Sequence, residues 1–173
     1  ILWDKKRETI VSNESSEIIR MFNSAFNGIT GNTADYWPKD IHPEIDDVNA
    51  RIYDTFNNGV YKSGFASTQA AYDAAVQPLF DTMDWLEERL TAHRYLMGER
   101  ISEADWRLFP TLVRFDPVYH LHFKCNRKRL MDYPNLWGYT RELYQWQTPD
   151  GGHVADTVGM DHIVRHYHYS HET

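Results

Sequence analysis

The stretch 101–119, I-S-E-A-D-W-R-L-F-P-T-L-V-R-F-D-P-V-Y, constrains this chain more than any other part of it. Ser102 followed three residues later by Asp105 is a capping-box variant. The hydroxyl accepts from the backbone N–H of Asp105 while the carboxylate reaches back to the N–H of Ser102, so a helix starts here. Beyond the cap, Leu108, Phe109, Leu112, Val113 and Phe115 put apolar groups on more than one face. That pattern suits a helix packed among others rather than one lying on a surface. Losing such a cap costs about 1 kcal/mol. Pro110 and Pro117 are expected to bend and to end this central helix respectively.

At 173 residues, 42% hydrophobic and 25% charged, the chain suffices for one globular domain, or for one domain and part of another. The lone Cys125 excludes an intrachain disulfide framework and fits a reducing, cytoplasmic setting. A formal charge of −7 repels phosphate backbones, and Lys124, Arg127, Lys128 and Arg129 form only a local basic cluster, read as a solvated turn. No nucleic-acid partner is expected. No apolar run approaches the roughly 20 residues needed to span a bilayer, so no membrane partner is expected either. Six Trp, eleven Tyr and eight Phe are a heavy aromatic load, available for packing, for an aromatic ligand, or for both.

Residues 1–11 read as strand, charged turn, strand, and so small a hairpin is marginal alone. We therefore expect upstream strands of a longer protein to complete the sheet. Residues 12–17 open a helix carrying Ile18, Ile19, Met21 and Phe22, with polar and acidic groups at its N-terminus. The aperiodic stretch from Asn27, with Gly28, Gly31 and Pro38, reads as a linker. Ile45, Val48, Ile52 and Phe56 then follow helical spacing until Asn57-Asn58-Gly59 breaks or kinks the helix. Ser67 or Thr68 caps a long pattern running to about Ala92, with a kink expected at Pro78. Another amphipathic segment spans 134–146, a turn 148–152, and Met160, Ile163, Val164 and Tyr167 suggest a last short helix. The chain is mostly α.

Several groups could carry chemistry. The start of the helix at 12–16 can hold a carboxylate on its free N–H groups and an ammonium group on Glu14, or can simply be a capped helix end. Tyr61 stands between Gly59 and Gly64 in what reads as a short loop between helices. A loop phenol can hydrogen-bond an aromatic hydroxyl or protonate a carbanion-like centre, or can cap a core. Tyr119 and Tyr167 pose the same alternatives. His162 and His166 share the i, i+4 spacing of zinc ligands, but neither an H-E-x-x-H motif nor a nearby Cys accompanies them, and solvated or core histidines are the favoured reading. No Gly-rich stretch matches a nucleotide-binding pattern.

Taken in order, L-W-D-K-K (2–6), I-V-S-N-E-S-S-E-I-I-R-M-F (10–22), N-N-G-V-Y-K-S-G-F-A (57–66), D-P-V-Y (116–119) and D-H-I-x-x-H-Y-x-x-S-H (161–171) resemble the glutathionyl-hydroquinone reductases, the Xi class of glutathione transferases. The resemblance implies the last β-hairpin and helix of a thioredoxin-like domain (1–26), a linker (27–42) and an all-helical C-terminal domain of the glutathione-transferase fold (43–173). It implies glutathione bound by Glu14 and Ser15, and Tyr61, Tyr167 and Tyr119 placed around the hydroxyls of an aromatic quinol. It further implies glutathione as co-substrate with no metal, aromatic quinol conjugates as substrates, and a cytoplasmic homodimer. The family reaction runs through a cysteine–glutathione mixed disulfide, but the family's Cys-Pro-aromatic motif is absent from these 173 residues and Cys125 falls in the helical part. The resemblance thus puts the catalytic cysteine upstream of this chain. The alternative is a non-catalytic, glutathione-transferase-like helical domain that mediates assembly.

Overall fold

The computed structural model describes every residue except Asp150, Glu172 and Thr173, and the chain divides into two compact units, Ile1–Pro43 and Glu44 onward. In the first, β1 (Leu2–Asp4) pairs antiparallel with β2 (Thr9–Ser12), Trp3 opposite Ile10 and Asp4 opposite Thr9. The turn between them is pinned by the Asp4 carboxylate, which accepts from the N–H groups of Lys6 (2.8 Å) and Arg7 (3.0 Å). Helix α1 (Ser15–Ser24) follows. The stretch expected as a plain linker holds a helical turn, α2 (Asn27–Thr30), closed by left-handed Gly31, and a 3-10 turn at Lys39–Ile41. Trp37 anchors it, its indole between the Arg20 guanidinium (4.1 Å) and the His42 ring (3.6 Å).

Helix α3 (His42–Ile52), which belongs to the second unit from Glu44 on, runs into a π-helical turn, Tyr53–Asn57, and α4 (Gly59–Gly64) follows. Thr68 is the cap of α5 (Gln69–Ala92), its hydroxyl accepting from the N–H of Ala71 at 3.2 Å. Helix α5 continues through Pro78 and buries Val76, Leu79, Phe80, Met83 and Leu86. The expected capping box is present at Ser102 and Asp105, and α6 (Glu103–Arg114) buries Leu108, Phe109 and Leu112. Helix α7 (Pro134–Tyr144) and α8 (Met160–Ser170) complete the set. The turn expected at 148–152 includes Asp150, outside the described residues; the Thr148 N–H donates to the Gly152 carbonyl at 2.8 Å.

Two expectations are corrected here. Pro117 does not stop the central helix: the backbone widens into a second π turn, Phe115–Tyr119, closed by the His120 N–H on the Phe115 carbonyl at 2.8 Å. A proline lacks the N–H that an α-helical register would require of it, and a turn of wider ring absorbs that loss. Tyr61 is not in a loop, because Gly59 and Gly64 bound a helical turn. They are glycines for packing: a Cβ on Gly59 would touch Leu79 at 3.6 Å, and one on Gly64 would meet the Phe123 ring at 2.5 Å.

Candidate active site

The three tyrosines singled out in the sequence come together from three separate elements. Tyr61 stands on α4, Tyr119 ends the second π turn, and Tyr167 lies in the last helix. Their phenol oxygens form a closed triangle: Tyr61 to Tyr167 at 2.6 Å, Tyr119 to Tyr167 at 3.0 Å, and Tyr61 to Tyr119 at 3.3 Å. Tyr119 and Tyr167 are buried at 2% and 9% exposure, while Tyr61 is half-buried. The triangle therefore has one side nearer solvent.

Two of the three tyrosines, Tyr61 and Tyr119, are placed by a backbone feature that the chain repeats. A π turn precedes α4 and another carries Tyr119, and such single wide turns are frequent at functional sites. Asn57 fixes the first of them, donating to the Arg107 carbonyl (3.2 Å) and accepting from the Thr111 hydroxyl (3.0 Å). Fully buried Phe123 lies beside all three rings, at 5.4 Å from Tyr61, 5.4 Å from Tyr119 and 5.9 Å from Tyr167. Gly64 is the residue that leaves room for it. On the open side, Phe65 and the His171 ring face each other at 6.0 Å, and His171 stacks on Tyr167 at 5.1 Å. His122 donates through Nε2 to the His171 carbonyl at 2.7 Å, which fixes this end of the tail. Sequence reasoning singled out none of Phe65, Phe123, His122 or His171 as part of this cluster.

Electrostatically, the site keeps the Tyr61 and Tyr119 phenols protonated. Burial raises the pKa of Tyr119 above that of an ordinary phenol, and its hydrogen bonds to Tyr167 and Tyr61 raise it further. Burial raises Tyr61 too, only partly offset by the hydrogen bond from Tyr119 and by the positive charge of Arg114. Three neutral hydroxyls closing a ring use three protons for three edges. When one phenol turns its proton toward a ligand oxygen, the other two still share a hydrogen bond. The arrangement can thus donate to an aromatic hydroxyl, or to a carbon gaining electron density, without orphaning a buried group.

The other candidates fall elsewhere. Glu14 is the exposed N-cap of α1 and makes no side-chain cap bond, Ser15 is the first helical residue, and both side chains are exposed in the first unit. Cys125 is fully buried, its Sγ facing the carbonyls of Phe123 (3.7 Å) and Val60 (4.0 Å), and burial pushes its thiol up to about 12. A nucleophilic thiol needs the opposite shift. His162 and His166 are exposed with parallel rings 6.0 Å apart, and among the described residues no group of three or more His, Cys, Asp or Glu could hold a metal ion.

Residues 69–142 match the family described as the glutathione S-transferase C-terminal domain. The chain is 55% identical, over 171 residues, to the glutathionyl-hydroquinone reductase PcpF of Sphingobium chlorophenolicum, and 54% identical, over 173 residues, to the glutathionyl-hydroquinone reductase YqjG of Escherichia coli K12. It covers 53% and 51% of those proteins, which in turn cover 99% and 100% of it. Among solved structures it superposes on glutathione-bound YqjG with a TM-score of 0.93 over 99% of this chain and 54% of that one. It matches the glutathione transferase Xi of Phanerochaete chrysosporium with a TM-score of 0.91 at 54% identity, over 99% of this chain and 55% of that one. The chain belongs to the Xi-class glutathione transferases. It spans about half the length of the curated relatives it matches. Within this Xi-class chain the helical unit holds the tyrosine triangle, and the hairpin with α1 holds Glu14 and Ser15. No helix of the described residues is long and apolar enough to cross a membrane.

Proposed function

We propose that this chain supplies the aromatic-substrate side, and part of the glutathione side, of a glutathione-dependent reductase of glutathionyl-hydroquinones. The observation that carries the reading is the closed triangle of Tyr61, Tyr119 and Tyr167, which suits an aromatic ring bearing hydroxyls. In the reaction, a cysteine thiolate outside these 173 residues attacks the sulfur of the conjugate. The aryl carbon–sulfur bond breaks, its electron pair goes to the ring carbon, and a protonated Tyr61 or Tyr167 delivers the proton that completes the hydroquinone. A second glutathione thiolate then attacks the cysteine–glutathione mixed disulfide, releasing oxidised glutathione and the free cysteine thiolate. Glu14 and Ser15 hold the γ-glutamyl end of glutathione, and Tyr119 keeps the other two phenols oriented. The protein that contains this chain is read as a cytoplasmic homodimer.

The test is to incubate the full-length protein with a glutathionyl-hydroquinone and glutathione and to follow both products. Equimolar hydroquinone and oxidised glutathione are expected; a full-length protein that releases neither refutes the reading and leaves the assembly-domain alternative in its place.

A further inference from the structure

Helix α7 presents two stripes. Leu136, Tyr139 and Leu143 are buried in the core, while Trp137, Arg141 and Tyr144, spaced four and three residues apart, line a cavity of about 320 Å³ on another face. Across from them stand Leu112 and Val113 of α6, with Asp116 and Pro117 of the same π turn that ends in Tyr119, and Met160 at the start of α8 also lines the space. Such a volume is at the low end for ligand pockets, which limits an occupant to one or two rings.

The polar groups on this lining differ in how far they are already engaged. The Asp116 carboxylate accepts from the N–H groups of Leu130 (2.6 Å) and Met131 (3.2 Å), and the Thr140 hydroxyl donates to the Leu136 carbonyl (2.7 Å). Arg141 is different. Arg94, Arg107 and Arg129 each hold a carboxylate, whereas the Arg141 guanidinium makes no hydrogen bond or ion pair among the described residues. Its sequence neighbour Glu142 is taken by Arg94 (2.9 Å) and by the Tyr95 hydroxyl. In a chain of net charge −7, a free guanidinium stands at an apolar cavity beside an indole that is 38% exposed.

We propose that this cavity is a second ligand site, distinct from the tyrosine triangle, which takes a small aromatic carboxylate: the ring stacks on Trp137 and lies against Leu112 and Val113, and the carboxylate pairs with the Arg141 fork. A planar guanidinium matches a carboxylate with two parallel hydrogen bonds, and an aromatic pair adds to the apolar burial. The site stands or falls independently of the reductase reading.

Isothermal titration of the full chain with naphthoate is the test, with naphthamide as the neutral match. Saturable one-site binding of naphthoate is expected. Naphthamide on the unaltered protein and naphthoate on Arg141→Gln should each bind at least about tenfold more weakly, as loss of a charged hydrogen-bond partner implies. Trp137→Ala should weaken binding as well, and Tyr61→Phe should leave it unchanged. Absence of saturable binding, equal affinity for naphthoate and naphthamide, or loss of binding in Tyr61→Phe overturns the proposal, the last by assigning the ligand to the tyrosine site.

Discussion

Asp105 and Tyr119 each stand where three segments of the helical unit meet, each is buried, and each is surrounded by hydrogen-bonding groups, but the two nodes are wired differently. The Asp105 carboxylate accepts from the N–H of Ser102 (2.7 Å), the Ser102 hydroxyl (2.9 Å), the N–H of Leu96 (2.9 Å) and the Tyr139 hydroxyl (2.8 Å). Two of those donors are backbone groups with nowhere else to turn. Tyr119 has only side-chain phenols for partners, and these can also bond to each other. A node built on backbone donors is fixed, and removing its acceptor orphans them. A node built on mutually satisfying hydroxyls can open one edge for a ligand and close again.

The largest expected effect is on the fixed node. Asp105→Ala leaves two N–H groups and a phenol without an acceptor in the core, so stability should fall by about 3–5 kcal/mol; urea unfolding that moved by less than ~1 kcal/mol would dissolve the contrast. At the open node the effect shifts from stability to turnover. Tyr61→Phe and Tyr167→Phe in the full-length protein should each lower turnover on the order of 10²-fold, about 2.7 kcal/mol of barrier. Each should cost stability only ~1 kcal/mol or less, since the remaining phenols keep each other satisfied. Unchanged kinetics would reduce both to packing residues.

The glycines around Tyr61 sharpen the same comparison. Gly64→Ala drives a methyl into Phe123, the ring beside all three tyrosines, and should cost about 1–3 kcal/mol through overpacking. Gly59→Ala meets Leu79 at an ordinary 3.6 Å and should be neutral or gain up to ~1 kcal/mol from helix propensity. Thermal melts of the two variants side by side would show the difference.

The smallest effect is on pH dependence. Tyr61 and Tyr119 have pKa values raised above the ordinary phenol value of 10.0. Above about pH 10 the unfolded chain has therefore released phenolic protons that the folded chain still binds. Unfolding then releases protons, so stability falls as pH rises through that window, with the contribution fully present below it. Tyr119→Phe should flatten the fall, as measured by urea unfolding at stepped alkaline pH.

By itself the sequence determined the helical content, the capping box at Ser102 and Asp105, a cap at Ser67 or Thr68 and the opening hairpin, because each depends on residues within a few positions of one another. It also singled out Tyr61, Tyr119 and Tyr167, as phenols whose local chemistry left a ligand role and a core role open and which a family pattern then grouped. Tertiary structure decided the rest. That Tyr61 rides on a helical turn depends on Leu79 and Phe123, which lie 20 and 59 residues downstream of the glycines they meet. That Pro117 prolongs a helix depends on a wider backbone turn that no local propensity specifies. That Asp105 gathers Leu96 and Tyr139 as well as its own cap, and that three phenols 48 to 106 residues apart share their protons, are consequences of packing. Hydrogen bonds over such separations form only after the helices that carry them have found one another.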